Sequence, residues 1–145
     1  MEGYEYYFNK FRGDKLLIKD YKYWSWCLRE DQVTLGSSIL LNKACKKSFG
    51  DLSNEELLEL RDIITSVEYA ISKEFNYDKI NYLALMMVDK HVHFHVLPRY
   101  SESILFNGTE YSDEHWPVAP QLSEKLDISE TDFQDLKQII TSNFR

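Results

Sequence analysis

The chain has 145 residues, 43% of them hydrophobic and 28% charged, with a formal net charge of −7. That length fits a single domain able to bury a core without disulfides. The composition excludes a disordered chain, and the acidic balance without a Lys/Arg run excludes non-specific binding to a nucleic-acid backbone. Cys27 and Cys45 have neither metal nor redox spacing and read as reduced thiols. With no signal-peptide core near the N-terminus, they predict a cytoplasmic protein. The longest apolar run, Leu83–Val88, is far short of the roughly 20 residues that span a bilayer, so no membrane partner is expected.

Tyr4, Tyr6, Tyr7 and Phe8 open the chain as an aromatic cluster of the kind that marks strands or packing surfaces. Leu16–Lys19, Tyr23–Arg29 and Ser37–Asn42 are rich in β-branched and aromatic residues and predict three strands. Ser53 followed by Glu56 forms a capping-box pattern. Leu57, Leu60, Ile64, Val67 and Ile71 then make a stripe, predicting a core helix to about Phe75. Tyr82–Val88 reads as a strand buried on both faces. Asp89-Lys90 reads as a tight hairpin, and His91–Leu97 as the following strand, stopped by Pro98. Ser101–Gln121 reads as an irregular tail. A last helix starting at Ser129 buries Phe133, Leu136 and Ile140. The order predicts an α+β domain over residues 1–145: an antiparallel sheet, one long central helix and a C-terminal helix. Its core covers about residues 15–100, and the tail and last helix residues 101–145.

Three of the four histidines lie in His91-Val92-His93-Phe94-His95. On a strand they share one face at intervals of about 6.6 Å, with Val92, Phe94 and Val96 on the other. Packing does not explain three imidazoles in register. Three uses do. A neutral imidazole can attack phosphorus and form a covalent intermediate while a second donates to the phosphate oxygens. Two imidazoles at i and i+2 can bind zinc with a third ligand from elsewhere. The row can also form a pH-sensitive contact surface.

His91–Pro98, followed by Arg99, resembles the His-φ-His-φ-His-φ-φ signature of the histidine-triad (HIT) superfamily, φ being apolar. Gly36–Lys43 resembles that family's glycine-led strand, and Phe49–Ser53 its lead-in to the long helix. The resemblance covers about residues 15–100. It implies an α+β fold, a homodimer, and purine nucleotide substrates cleaved at the α-phosphate, such as dinucleoside polyphosphates or nucleoside phosphoramidates. It implies His93 as nucleophile, His95 as phosphate contact and His91 as the residue that supports the array. It needs no protein-bound metal, magnesium entering only with substrate phosphates.

Arg29, Ser37, Ile39 and Met87 fall at substrate-binding positions by this resemblance. Arg29 stands where many members carry a ribose-binding Asn, and Ser37 where they carry a His. Ile39 stands at an apolar wall for the base. Met86–Lys90 replaces a Gly-Gln-Ser/Thr loop that supplies phosphate donors. That replacement supports the alternative of a nucleotide-binding sensor or scaffold with little turnover. Lys43 and Arg99 are candidate sources of positive potential, and Trp116 is expected to anchor the tail.

Overall fold

A computed structural model describes residues 3–143. Among them, β1 (Leu17–Asp20), β2 (Trp24–Leu28), β3 (Ser38–Asn42), β4 (Lys79–Leu83) and β5 (His93–Arg99) form one antiparallel sheet in the order β1-β2-β3-β5-β4. The long helix α3 spans Asn54–Ser72 and the last helix α4 spans Glu130–Asn143. This is the α+β architecture expected from the sequence.

Register divides the sheet into two faces. Trp24, Trp26 and Leu28 lie opposite Asn42, Leu40 and Ser38, and Leu40 and Ser38 lie opposite Phe94 and Val96. This face packs against α3, where the Trp24 indole donates to the Glu56 carbonyl at 2.9 Å. The other face carries Ser25, Leu41 and His93 in one row and Cys27, Ile39 and His95 in the next.

Ser53 caps α3 and closes the capping box with Glu56. The buried stripe is Glu56, Leu60, Ile63, Val67, Ala70 and Ile71, whereas Leu57 is exposed. The stripe therefore starts one position earlier than the apolar pattern indicates. Glu56 tolerates burial because it accepts from Asn42 Nδ2 (2.6 Å), Lys46 Nζ (3.0 Å) and Ser53 N (2.9 Å). Burial raises its pKa, but these bonds together outweigh that and hold it down at about 2.

Ser129 caps α4 by accepting from Asp132 N at 3.1 Å, and Phe133, Leu136 and Ile140 are its buried face, as predicted.

Several expectations are corrected. The aromatic N-terminus is helical: α1 spans Tyr4–Lys10 and α2 spans Gly13–Leu16. The strand expected at Tyr82–Val88 ends at Leu83, and Leu85, Met87 and Val88 are exposed. Residues 84–92 form an irregular loop in place of a hairpin, leaving His91 outside β5. Pro98 does not stop β5. It lies opposite Ile80, and its carbonyl accepts from Thr34 Oγ1 at 2.5 Å on the side where β3 has ended. Its missing N–H faces that side, where no ladder bond is lost. The tail contains a hairpin, β6 (Ile104–Phe106) and β7 (Thr109–Tyr111), turned by Asn107-Gly108 with positive φ at both. Among the described residues no helix is long and apolar enough to cross a membrane.

Candidate active site

The three triad rings form a contiguous cluster. The centroids of His91 and His93 are 4.7 Å apart and stacked; those of His93 and His95 are 5.1 Å apart, edge to face. His91 is fully buried, sandwiched between His93 and Tyr7 of α1, whose ring stacks on it at 3.7 Å. Neither nitrogen of the His91 ring has a hydrogen-bond partner among the described residues. Its main chain does the orienting instead: the His91 carbonyl lies 2.8 Å from His93 Nδ1.

That bond fixes chemistry. A carbonyl only accepts, so Nδ1 of His93 carries the proton and Nε2 keeps its lone pair. Burial lowers the pKa of His93, partly offset by the His91 carbonyl. Burial, then the His93 charge, lowers His91 to about 4. Burial, then Arg29 and His93, lowers His95 to about 3. All three shifts favour the uncharged ring at neutral pH.

The N-terminal helices supply parts of the site that sequence reasoning missed. Phe11, just after α1, has its ring 6.2 Å from His93. Lys10 pairs with Asp89, tying α1 to the loop before the triad. Tyr4 and Ser25 hydroxyls are bonded on the same face. The signal was present: Tyr4, Tyr7, Phe8 and Phe11 recur at helical spacing.

Beside the histidines, Lys10, Phe11, Leu28, Arg29, Glu30, Asp31 and Ile39 line a cavity of about 160 Å³. Ile39 is fully buried and lies directly opposite His95. Arg29 continues β2 on the triad face, its N–H donating to the Ser37 carbonyl at 3.0 Å. Gln32 holds this loop, donating to the Arg29 and Ser37 carbonyls (2.6 and 2.8 Å) and accepting from Gly36 N and Ser37 N (2.8 and 3.0 Å).

The remaining sequence candidates fall elsewhere. Ser37 is fully buried, its hydroxyl donating to the Thr34 carbonyl at 2.7 Å, so it builds the loop and leaves no hydroxyl for a substrate. Met87 is 76% exposed on the loop before the triad. Arg99 is buried, bonded to Asp113, Asn81 and the Val118 carbonyl, so it pins the tail to β5 and supplies no free charge. Lys43 pairs with Asp20 at 2.7 Å. Trp116 is half-buried, and His115 lies 2.5 Å from Glu124. Among the described residues no group of three or more His, Cys, Asp or Glu is placed to hold a metal.

Comparison by sequence finds no matching family model and no matching curated protein. Comparison by structure does find matches. A histidine-triad protein from Sinorhizobium meliloti superposes with a TM-score of 0.73 at 20% identity, over 94% of each chain. The fold is the histidine-triad fold. A histidine triad protein from Marinobacter aquaeolei gives the same TM-score at 17% identity, over 94% of this chain and 93% of the other. A hypothetical histidine triad nucleotide-binding protein from Sulfolobus tokodaii gives 0.63 at 18% identity, over 99% and 84%. The histidine-triad fold thus carries a complete triad here, with an arginine and a methionine-rich loop beside it.

Proposed function

We propose that this protein is a histidine-triad nucleotide hydrolase that cleaves a purine nucleotide conjugate at its α-phosphate. Dinucleoside polyphosphates and nucleoside phosphoramidates are the substrate classes. The observation that carries the reading is the 2.8 Å contact between the His91 carbonyl and His93 Nδ1, which leaves Nε2 as a neutral nucleophile.

In this reading His93 Nε2 attacks the α-phosphorus. The N–P bond forms as the bond to the leaving group breaks, and the leaving group takes its electron pair and a proton from solvent. Water then adds to phosphorus, and the N–P electron pair returns to Nε2. A proton passes to solvent and a nucleoside monophosphate is released. His95, kept neutral by burial, donates from its ring to a phosphate oxygen. Phe11, partly exposed in the cavity lining, offers the base an apolar face, with Ile39 buried in the same lining. In this reading the steps need no protein-bound metal, and magnesium enters only with a polyphosphate chain.

The reading includes a cytoplasmic homodimer. The edge strand β4 and the exposed Leu85, Met87 and Val88 beside it support a second copy at that edge. A second reading, a nucleotide-binding module with little turnover, is favoured by the loop of residues 84–90, where Leu85, Met87 and Val88 expose apolar side chains in place of phosphate donors.

Mass spectrometry of wild type and His93→Ala mixed with adenine and guanine nucleotide conjugates separates the two. Monophosphate released by wild type and not by His93→Ala supports the hydrolase. Nucleotide binding with no release from any conjugate supports the binding module.

A further inference from the structure

Among the described residues Arg29 forms no salt bridge, although the Asp31 carboxylate favours its charge. It is half-buried, Nη1 is enclosed, and no hydrogen bond reaches that nitrogen among the described residues. Of the two neighbouring carboxylates, Glu30 pairs with Arg12 at 2.7 Å, and Asp31, 3.8 Å from the exposed Lys125, acts on Arg29 without a direct salt bridge. A guanidinium stays charged at any working pH. Leaving it half-desolvated and unpaired is costly unless an anion completes it.

Position says where that anion sits. Arg29 shares the triad face and lines the cavity against Ile39, which lies opposite His95. The charges of Arg29 and His95 are coupled. His95 Nδ1 is likewise enclosed and unpartnered.

Among residues 84–90 only Lys90, exposed just before His91, carries a side-chain donor. Met87 and Val88 are apolar and exposed, and Asp89 is taken by Lys10. Met86 adopts a left-handed backbone (φ 54°), a conformation a non-glycine residue holds only at a cost. The chain as a whole carries −7, so an anionic substrate depends on local positive charge.

We propose that Arg29 is the phosphoryl-binding residue of this site, gripping non-bridging oxygens of the transferred phosphate together with His95. Gln32 is its positioning residue. The guanidinium, one residue beyond β2, supplies positive charge from the cavity lining, to which Lys90 of the loop before the triad does not belong. The fork geometry selects a phosphate with two free anionic oxygens over a neutral nucleoside. Gln32, 1% exposed, fixes both carbonyls of the turn from which Arg29 projects.

The inference rests on the nucleotide reading above, and its test separates the two. Binding of adenosine and guanosine 5′-monophosphate, each against its nucleoside, is measured by calorimetry for wild type, Arg29→Ala and Arg29→Lys. Cleavage of the same conjugates is measured in parallel. The expected result is monophosphate affinity lowered about 10- to 100-fold in Arg29→Ala, with nucleoside affinity within about twofold of wild type. Arg29→Lys recovers part of the loss, because it restores charge without the fork. If Arg29→Ala does not fold by circular dichroism, Arg29→Lys decides: a loss confined to the monophosphate supports the proposal.

Monophosphate affinity unchanged in Arg29→Ala, or falling in step with the nucleoside, overturns the phosphoryl role. Selective loss in a protein that cleaves no conjugate keeps the Arg29 assignment and sinks the hydrolase. Cleavage equal in wild type and Arg29→Ala, with equal affinity, keeps the hydrolase and sinks the assignment. A wild type that binds neither monophosphate overturns both.

Discussion

The main-chain carbonyl of His91 stands 2.8 Å from Nδ1 of His93, while the His91 ring lies buried and stacked under Tyr7. The first histidine of the row therefore acts on the second through its backbone. Any side chain at position 91 that keeps the backbone in place preserves that bond.

His91→Phe accordingly retains the His93 tautomer and stays within about tenfold of wild-type turnover, whereas His93→Ala loses at least about a thousandfold. The phenyl ring keeps the stack and removes two buried polar atoms that lack partners. Stability is therefore unchanged or raised by about 1 kcal/mol. Steady-state kinetics and denaturant midpoints check both arms.

Acid destabilises this fold earlier than carboxylate titration alone does. The folded pKa values of His91 and His95 are depressed to about 4 and about 3, against an ordinary value of about 6.5. Between those values the unfolded chain binds more protons, so stability rises with pH there. It is complete above about pH 6.5 and declines as pH falls toward 4 for His91 and toward 3 for His95, with His91 alone contributing on the order of 3 kcal/mol. Urea unfolding at about pH 7 and about pH 5 shows a loss in wild type that is smaller in His91→Phe. An equal loss in both contradicts the assignment to His91.

Glu56 links the α3 cap to β3 through Ser53, Asn42 and Lys46. Glu56→Ala strands Asn42 and Lys46 and lowers stability by about 3 kcal/mol. Its contribution is present above the ordinary carboxylate pKa and is lost as pH falls toward about 2. Denaturant unfolding at neutral pH measures the first effect directly.

Gly36 has φ +94°, and a Cβ there would lie 3.3 Å from Pro98 Cγ. Gly36→Ala is thus both left-handed and crowded, and costs about 1–3 kcal/mol. Because Gly36 N donates to Gln32, the variant also loosens the turn that carries Arg29. Thermal unfolding and monophosphate affinity report the two effects separately.

Much of this was legible in the sequence because it is local. Alternation put His93 and His95 on one face, and Ser53 with Glu56 marked the start of α3. The misreadings share a physical origin. A short apolar run such as Tyr82–Val88 has the same appearance whether it is a core strand or an exposed loop, and burial is decided by what packs on it. Glu56 and Arg99 look like surface charges until their partners are known, and the partners of Arg99 lie 14 to 19 residues away. Two signals were readable and missed: the helical spacing of Tyr4, Tyr7, Phe8 and Phe11, and Asn107-Gly108 as a hairpin turn.

The central claim is that Nε2 of His93 becomes covalently bonded to phosphorus. The direct test mixes wild type with a cleaved conjugate, quenches rapidly in alkali, where an N–P bond survives, and reads the intact mass and the modified peptide. The account predicts a gain of one nucleotidyl group on His93, absent from His93→Ala. Monophosphate release with no adduct at any time, and with His93→Ala equally active, would contradict it.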